Sequence, residues 1–187
     1  ERVAGVKAVL TGLDVPGLRI GRCIYDTPVL ADGLVRFIGE KVAAVAAISK
    51  QAAEAALELI EVEYDEMTPL LDPSEAVKDG STVLHPDLLS YKGLPVPVEK
   101  ASNLFAYLKW GTGDIAAGFK QADLIVENPF TNQVTHQSYL EPHACVAHTH
   151  ADGSADIWSC SKTPYAVRGQ LSNCIGIAKE KLVFHPM

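Results

Sequence analysis

The sequence lacks long apolar runs, an excess of positive charge and paired cysteines. It carries 16 Lys and Arg against 23 Asp and Glu, a formal net charge of −7. Its apolar runs fall well short of the about 18–20 residues that cross a bilayer. Nucleic-acid binding needs clustered cations that displace counterions. These features argue against a membrane span and a nucleic-acid partner, and we expect a soluble, cytoplasmic protein.

Catalytic motifs of the common enzyme classes are also missing. The chain has no GxSxG nucleophile elbow, no HExxH pair and no complete Gly-rich phosphate loop. Cys160 stands between two serines at a predicted strand end, but no neighbouring base would activate its thiol. Without a CxxC pair, the four cysteines are expected to be buried, inert thiols: Cys23, Cys145, Cys160 and Cys174.

Four histidines lie close together in the sequence and raise a metal-site hypothesis. His148 and His150 would share one face of a strand, because strand side chains alternate with period two. Either His136 or His143 would then supply a third zinc ligand. A solvated strand beside a turn accounts for the same residues more simply, so no metal ligands are assigned.

What the sequence does contain is the composition of a folded α/β protein. Its 187 residues are 48% hydrophobic and 21% charged, which is typical of one packed domain or two small ones. Ser49 is suited to cap a helix over 51–60. The unbroken apolar run over 42–48 predicts a strand buried on both faces. Shorter segments predict strands over 6–10, 34–37 and 60–64.

A proline-rich stretch over 65–100 separates these elements from a second set. Asp114 is suited to cap a short helix, and Asp152-Gly153 predicts a hairpin between strands over 144–149 and 155–159. Pro164 predicts a helix start. Further strand or extended patterns cover 104–110, 122–130 and a segment beginning at Val183.

Several sequence segments resemble the molybdenum-binding subunit of xanthine dehydrogenase and aldehyde oxidase enzymes. Their order and spacing agree with that family over nearly the whole chain, although each motif alone is weak. The segments are VLTGLDVP at 9–16, PVLA at 28–31, VRFIGEKVAAV at 35–45, AEAALELIEVEY at 53–64, GDIAAGFKQAD at 113–123 and QSYLEPH at 137–143.

This resemblance implies an α/β (α+β) fold with two domains. An α/β-hammerhead domain would occupy residues 1–85, and an extended linker would occupy 86–103. Residues 104–187 would form the first part of a molybdopterin-binding domain. Apolar segments at both ends suggest that the chain is a fragment, and we expect exposed apolar surface and association near Val183, Phe184 and residues 5–10.

The resemblance also implies a reaction, cofactors and partners. Such enzymes hydroxylate a carbon of an aldehyde or N-heterocycle with oxygen from water. The intact subunit would bind molybdenum-molybdopterin, which relatives also carry in a dinucleotide form. Electrons would pass to [2Fe–2S] clusters and FAD on partner subunits or domains. Purines, aldehydes, nicotinate-like heterocycles, carbon monoxide and aromatic CoA thioesters all remain open as substrates.

Only two residues follow from the resemblance as cofactor-binding candidates, Ser161 and Lys162. Xanthine-type members end a comparable strand with STQ, whereas this chain has Cys160-Ser161-Lys162 and places Lys at the Gln position. The ammonium group can donate to an oxo ligand, but with a different geometry and charge. A solvent-facing residue at a strand end is the alternative for Lys162.

The family's Gly-rich GGxFGGK loop and its catalytic Glu do not occur in this chain. We therefore assign no catalytic residue here, and we expect this chain alone to be inactive and to bind no cofactor. The missing loop also leaves open a non-catalytic scaffold or binding module with a hammerhead fold.

Overall fold

The computed structural model describes residues 3–94 and 97–187. It contains both helices and strands, which confirms the predicted α+β class. Within these residues three sheets form. Val6–Thr11 pairs with Ala43–Ala47, and Arg19–Ile20 pairs with Thr27–Pro28. The third sheet has the order Cys145–Thr149, Ala155–Ser159, Leu182–Pro186. Two compact units are distinguished, one of residues 1–105 with 145–187 and one of residues 106–144.

The strands are β1 (Val6–Thr11), β2 (Arg19–Ile20), β3 (Thr27–Pro28), β4 (Ala43–Ala47), β5 (Cys145–Thr149), β6 (Ala155–Ser159) and β7 (Leu182–Pro186). The helices are α1 (Lys50–Leu57), α2 (Pro73–Ala76), α3 (Ile115–Gln121) and α4 (Pro164–Ile175).

Strands β1 and β4 form an antiparallel pair, with Leu10 opposite Ala44 and Thr11 opposite Ala43. The prediction of a strand buried on both faces over 42–48 is wrong, because β4 alternates between half-buried and exposed residues. Its small alanine side chains account for the unbroken apolar run. Leu10 remains 43% exposed, in agreement with the expected apolar surface near this end.

Helix α1 follows β4 directly and confirms the predicted cap. The Ser49 hydroxyl accepts a hydrogen bond from the Ala52 backbone N–H at 3.2 Å. The helix ends at Leu57, and Ala56 is its buried residue. The strand predicted over 60–64 is wrong: this segment is irregular and pairs with no described strand, since a period-two pattern supplies no partner for the backbone.

The strand predicted over 34–37 does not form, and a turn follows at its end. The Arg36 backbone N–H donates to Glu40 Oε2 at 2.5 Å, and the Arg36 Nε donates to the Leu84 carbonyl at 2.9 Å. Gly39 adopts a φ of +94°, which lets the chain reverse there. Because the Arg36 backbone N–H bonds the Glu40 side chain rather than a neighbouring strand, the alternating pattern does not lead to strand pairing.

Residues of the predicted linker over 86–103 contact the first 85 residues. Tyr91 is 7% exposed and lies under the Arg19 guanidinium, 4.4 Å from its ring centroid. The Asn103 side chain accepts from the Leu84 N–H and donates to the Ala76 and Thr82 carbonyls. Residues predicted as an extended linker thus hold several segments together. The domain boundaries at 85 and 103 stay a prediction.

The unit of residues 106–144 contains helix α3, whose first turn is capped by Asp114 through the Ala117 N–H at 2.9 Å. The strand predicted over 104–110 is wrong, and residues 122–130 run without strand pairing. Almost every residue of this unit is exposed. An open apolar groove of about 460 Å³ is lined by Ile115, Gly118, Phe119, Ala122, Leu124, Ile125 and Val126.

Strands β5, β6 and β7 form the second predicted set and confirm the hairpin. β5 and β6 are antiparallel around the turn at Gly153, whose φ is +78°. β6 and β7 are parallel and are connected through α4. Ala155, Ile157 and Leu182 form the buried cluster of this sheet. None of the described helices is long and apolar enough for a membrane span.

Candidate functional site

The carboxyl ends of β6 and β7 lie side by side, because the two strands are parallel. In α/β units, ligands bind at this end of the strands, where connecting loops meet. The Met187 N–H donates to the Ser159 carbonyl at 3.3 Å, which extends the pairing of the two strands to the edge. We define this region, from Ser159 to the first turn of α4 together with Met187, as the carboxyl edge.

Both predicted cofactor residues lie at the carboxyl edge, between β6 and α4. The Ser161 hydroxyl is half-buried and accepts a hydrogen bond from the Thr163 N–H at 3.0 Å. This bond shapes the turn into α4. Lys162 is exposed, so its ammonium group is accessible to a ligand and to solvent alike.

The first turn of α4 adds backbone donors to the carboxyl edge. Pro164 occupies the start of the helix, and within the described chain the Thr163 side chain caps none of the first-turn amides. Uncapped N–H groups and the helix dipole favour negative charge at this position. Together with the Lys162 ammonium, they make the edge suited to anionic oxygen atoms.

The cysteines differ from the sequence prediction. Cys23, Cys145 and Cys160 are exposed, so the prediction of buried thiols is wrong for these three. Cys145 begins β5, an outer strand of its sheet, and the other two lie in loops. Cys174 on α4 is partly buried, and this burial raises the pKa of its thiol.

The histidines also arrange themselves differently from a zinc site. The rings of His148 and His150 are neighbours, with centroids 4.7 Å apart, as their shared strand face predicts. His143 instead stacks on Tyr139, whose hydroxyl lies 3.1 Å from His143 Nε2. Within residues 3–94 and 97–187, no three His, Cys, Asp or Glu side chains are placed to hold a metal ion.

A second polar cluster, absent from the sequence predictions, lies on β6 and its neighbours. Asp156 Oδ2 is 2.6 Å from His150 Nε2, and Asp156 Oδ1 is 2.5 Å from His185 Nε2. These two hydrogen bonds, that to His185 first, lower the pKa of the Asp156 carboxyl below its ordinary value. Sequence alternation places Asp156 and Trp158 on one face of β6, but only the parallel register brings His185 to them.

Two family models match the sequence. One describes the aldehyde oxidase and xanthine dehydrogenase a/b hammerhead domain and covers residues 1–68. The other describes a molybdopterin cofactor-binding domain and covers residues 97–186, which include the carboxyl edge.

Similar proteins span the same family. The chain is 34% identical to a probable xanthine dehydrogenase protein of Bacillus subtilis over 97% of this chain and 23% of that protein. It is 29% identical to the nicotinate dehydrogenase large molybdopterin subunit of Eubacterium barkeri over 96% of this chain and 39% of that protein. A crystal structure of Cu,Mo-CO dehydrogenase matches with a TM-score of 0.78 and 28% identity over 99% of this chain and 24% of the other.

The chain thus spans between 23% and 39% of the length of these relatives. The hammerhead model precedes the cofactor-domain model along the chain, in the order that the sequence motifs imply. The structure of Cu,Mo-CO dehydrogenase aligns with 99% of this chain, at 28% sequence identity. On these grounds the chain belongs to the xanthine dehydrogenase and aldehyde oxidase family, as part of its molybdenum-binding subunit.

Proposed function

We propose that this chain is part of a molybdenum hydroxylase that oxidises an aldehyde or N-heterocycle with oxygen from water. The observation that carries the proposal is the cofactor-domain match over residues 97–186, which follows a hammerhead-domain match over 1–68 along the chain. Electrons would leave through [2Fe–2S] and FAD groups on partner subunits or domains. The remainder of the same subunit would be the nearest partner.

The carboxyl edge fits the cofactor that this proposal requires. Molybdopterin carries a phosphate, and oxygen atoms bind the molybdenum, so donors and positive charge are the complementary chemistry. Ser161, Lys162 and the first-turn amides of α4 supply such groups. The bound group would supply the two-electron redox chemistry of the reaction.

Within this proposal, Lys162 and Ser161 have different tasks. The Ser161 oxygen is already engaged by the Thr163 N–H, so its hydroxyl proton remains available to an acceptor. Its main effect is to fix the turn that presents the α4 amides. The exposed Lys162 ammonium would hold an anionic oxygen by charge as well as by hydrogen bonding.

The residue that removes the substrate's or water's proton is proposed to lie outside this sequence. The Asp156 carboxylate is occupied by two imidazoles, which makes it a poor general base. The Glu40 carboxylate is nine-tenths buried within its turn. Within the intact subunit this chain would therefore contribute groups that bind and orient the cofactor, and by itself it would bind no cofactor and be inactive.

The substrate class is proposed only as far as aldehydes and N-heterocycles. The names of similar proteins refer to nicotinate, carbon monoxide and abscisic aldehyde as well as xanthine. Such different molecules are handled by related chains, so residues outside the matched region are expected to decide between them. A cytoplasmic location remains part of the same proposal.

The test is to express the intact molybdenum-binding subunit that contains this sequence, together with its partner subunits, in a host that makes the molybdenum cofactor. We expect the purified protein to contain molybdenum and to transfer ¹⁸O from labelled water to an aldehyde or N-heterocycle, with a dye as electron acceptor. A folded protein without molybdenum would overturn the proposal and favour the scaffold alternative. Molybdenum without ¹⁸O transfer across both substrate classes would overturn the hydroxylase part alone.

Lys162 can be tested in the same protein. Lys162→Ala is expected to lower molybdenum content several-fold, whereas Lys162→Gln, which restores the xanthine-type residue, retains more of it. Lys179→Ala is the control, because Lys179 is equally exposed but lies at the opposite end of α4. Equal molybdenum content in all four proteins would contradict a cofactor role for Lys162.

A further inference from the structure

The sheet face opposite α4 carries a bridge of three polar side chains. Asp156 on β6 accepts from His150, which follows β5, and from His185 on β7. An ionised carboxylate has no proton to donate, so each imidazole must carry its proton on Nε2. One carboxyl group therefore connects all three strands of this sheet. We call this cluster the imidazole bridge.

The bridge is only partly shielded from water. The exposed fractions of the side chains are 23% for Asp156, 42% for His150 and 40% for His185. Exposed ion pairs add little stability. We therefore expect the imidazole bridge to affect mainly the register of the strands and to add little to the free energy of unfolding.

The two contacts of Asp156 differ in their distance along the chain. His150 is six residues away and belongs to the same hairpin as Asp156. His185 is 29 residues away and reaches β6 only after α4 has crossed over. The tight turn of the hairpin already aligns β5 with β6, so the His150 contact adds little to strand alignment. The His185 contact, by contrast, restricts how β7 aligns with β6.

On its α4 face, strand β7 is held by Leu182 and by the partly buried Phe184, which packs against the core cluster, so the bridge acts on the opposite face. Strand β7 lies at the edge of the sheet, and among the described strands it pairs with β6 alone, in parallel. Leu182, which is 1% exposed, anchors its first residue in the core. On the opposite face Val183 is 49% exposed and contributes little packing.

His185 satisfies two conditions at once in the observed register. It lies directly opposite Trp158, and its ring stacks on the indole with centroids 4.7 Å apart and planes 11° apart. From there its Nε2 reaches Asp156, two residues earlier on β6. A slip of one residue would turn His185 to the α4 side and break both contacts.

We propose that the imidazole bridge is a register lock, in which Asp156 and His185 fix the position of β7 against β6. The lock sets where β7 ends, and therefore where Met187 lies beside Ser159 at the carboxyl edge. It acts without a bound cofactor and does not depend on the proposed hydroxylase function. Asp156 and His185 are thus positioning residues.

Other ionisable groups near the bridge do not replace its members. His148 shares the face and contacts the His150 ring, but the two hydrogen bonds of the Asp156 carboxylate go to His150 and His185. Asp152 bonds Ser154 within its own turn, and the Lys181 ammonium donates to the Asp152 carbonyl at 3.1 Å. These groups are therefore suited as controls.

The first experiment is hydrogen exchange of the full chain at neutral pH. Asp156→Asn and His185→Leu are expected to accelerate exchange of the β7 amides several-fold, and to leave β1 and α1 unchanged. The matched controls Asp152→Asn and His148→Leu should leave β7 at the wild-type rate. Equal protection of β7 in Asp156→Asn and the wild type would overturn the proposal.

A second set of measurements tests the proposal even if Asp156→Asn or His185→Leu fails to fold. In the wild-type chain, ¹⁵N NMR of the imidazoles should show His150 and His185 protonated on Nε2, and the His185 signal should shift when Trp158 is replaced by Leu. His185→Gln, which retains a side-chain N–H donor, should restore part of the β7 protection that His185→Leu loses. A His185 ring whose Nε2 carries no proton, and which therefore donates no hydrogen bond to Asp156, would overturn the register lock.

Discussion

Two neighbouring stretches of similar apolar content behave differently in this molecule. In residues 145–187 the sheet and α4 bury Ala155, Ile157 and Leu182 to 7% exposure or less. In residues 106–144 the large apolar side chains stay open, with Trp110 at 91% and Phe130 at 92% exposure. The first stretch has backbone partners for its strands, and the second has a single short helix.

The difference shows that apolar sequence alone does not create a core. Residues 145–187 alternate strand, helix and strand, so each element covers the apolar face of another. Residues 106–144, all of them described, lack a second element of regular structure to cover α3. Exposed apolar surface on this scale is typical of a region that packs against further protein.

The largest effect is expected from Leu182→Ala. Leu182 is 1% exposed, and removing its buried methyl groups leaves a cavity that costs about 2–5 kcal/mol of unfolding free energy. Urea denaturation followed by tryptophan fluorescence of Trp158 measures the loss. A loss below about 1 kcal/mol would mean that the 145–187 core is far looser than its burial indicates.

A smaller effect is expected from Asp114→Ala in the other stretch. Its carboxylate caps α3 through the Ala117 N–H, and loss of an N-cap costs a helix about 1 kcal/mol. Hydrogen exchange of residues 115–121 should increase, while that of β6 stays constant. Exchange that rises equally in both stretches would show that they unfold together, which contradicts the difference in packing between them.

Acid should weaken residues 145–187 through Asp156. The pKa of this carboxyl is lowered by its bonds to His185 and His150, so the folded chain holds the charged form more firmly than the unfolded chain. The resulting stability is present above about pH 4 and is lost as the pH falls through the folded-state pKa. Unfolding curves between pH 6 and pH 3 should therefore differ less for Asp156→Asn than for the wild type.

Asp152 is a necessary second comparison in that experiment. Its pKa is also lowered, first by the Ser154 hydroxyl and then by the Ser154 N–H, so it has the same sign of pH dependence. Its bonds stay within the hairpin turn. Asp152→Asn is expected to change the acid sensitivity of the turn amides and not that of β7.

The smallest effect is expected from Leu124→Ala. Leu124 is 80% exposed and lines the open groove of residues 106–144, so its truncation should change the unfolding free energy by less than about 0.5 kcal/mol. The same denaturation assay as for Leu182→Ala provides the contrast. A cost comparable to that of Leu182→Ala would show that this surface is buried in solution.

The elements predicted correctly from sequence are those with a local chemical signal. Asp152-Gly153 marks the hairpin turn, Pro164 begins α4, and Ser49 and Asp114 cap their helices. The strands predicted over 34–37, 60–64 and 104–110 do not form. Alternation along one segment contains no information about a partner strand, which must come from elsewhere in the chain.

The candidate site shows the same difference between local and long-range signals. Ser161 and Lys162 were predicted from a family motif, and the structure places both at the carboxyl edge, while their role stays a prediction. Asp156 and His185 were not predicted, because their contact depends on a parallel register across an intervening helix. Long-range registers of this kind have no short sequence signal.

Asn103 shows how chemical ageing could act on this fold. Its amide nitrogen donates to two carbonyl oxygens, of Ala76 and Thr82, while its oxygen accepts from the Leu84 N–H. Deamidation replaces only the nitrogen, by an oxygen that has no proton to give. Two attractive contacts would become two repulsions between oxygen atoms, so a single hydrolysed amide would loosen the attachment of Asn103 to the backbone at Ala76 and Thr82, while the oxygen that accepts from the Leu84 N–H stays.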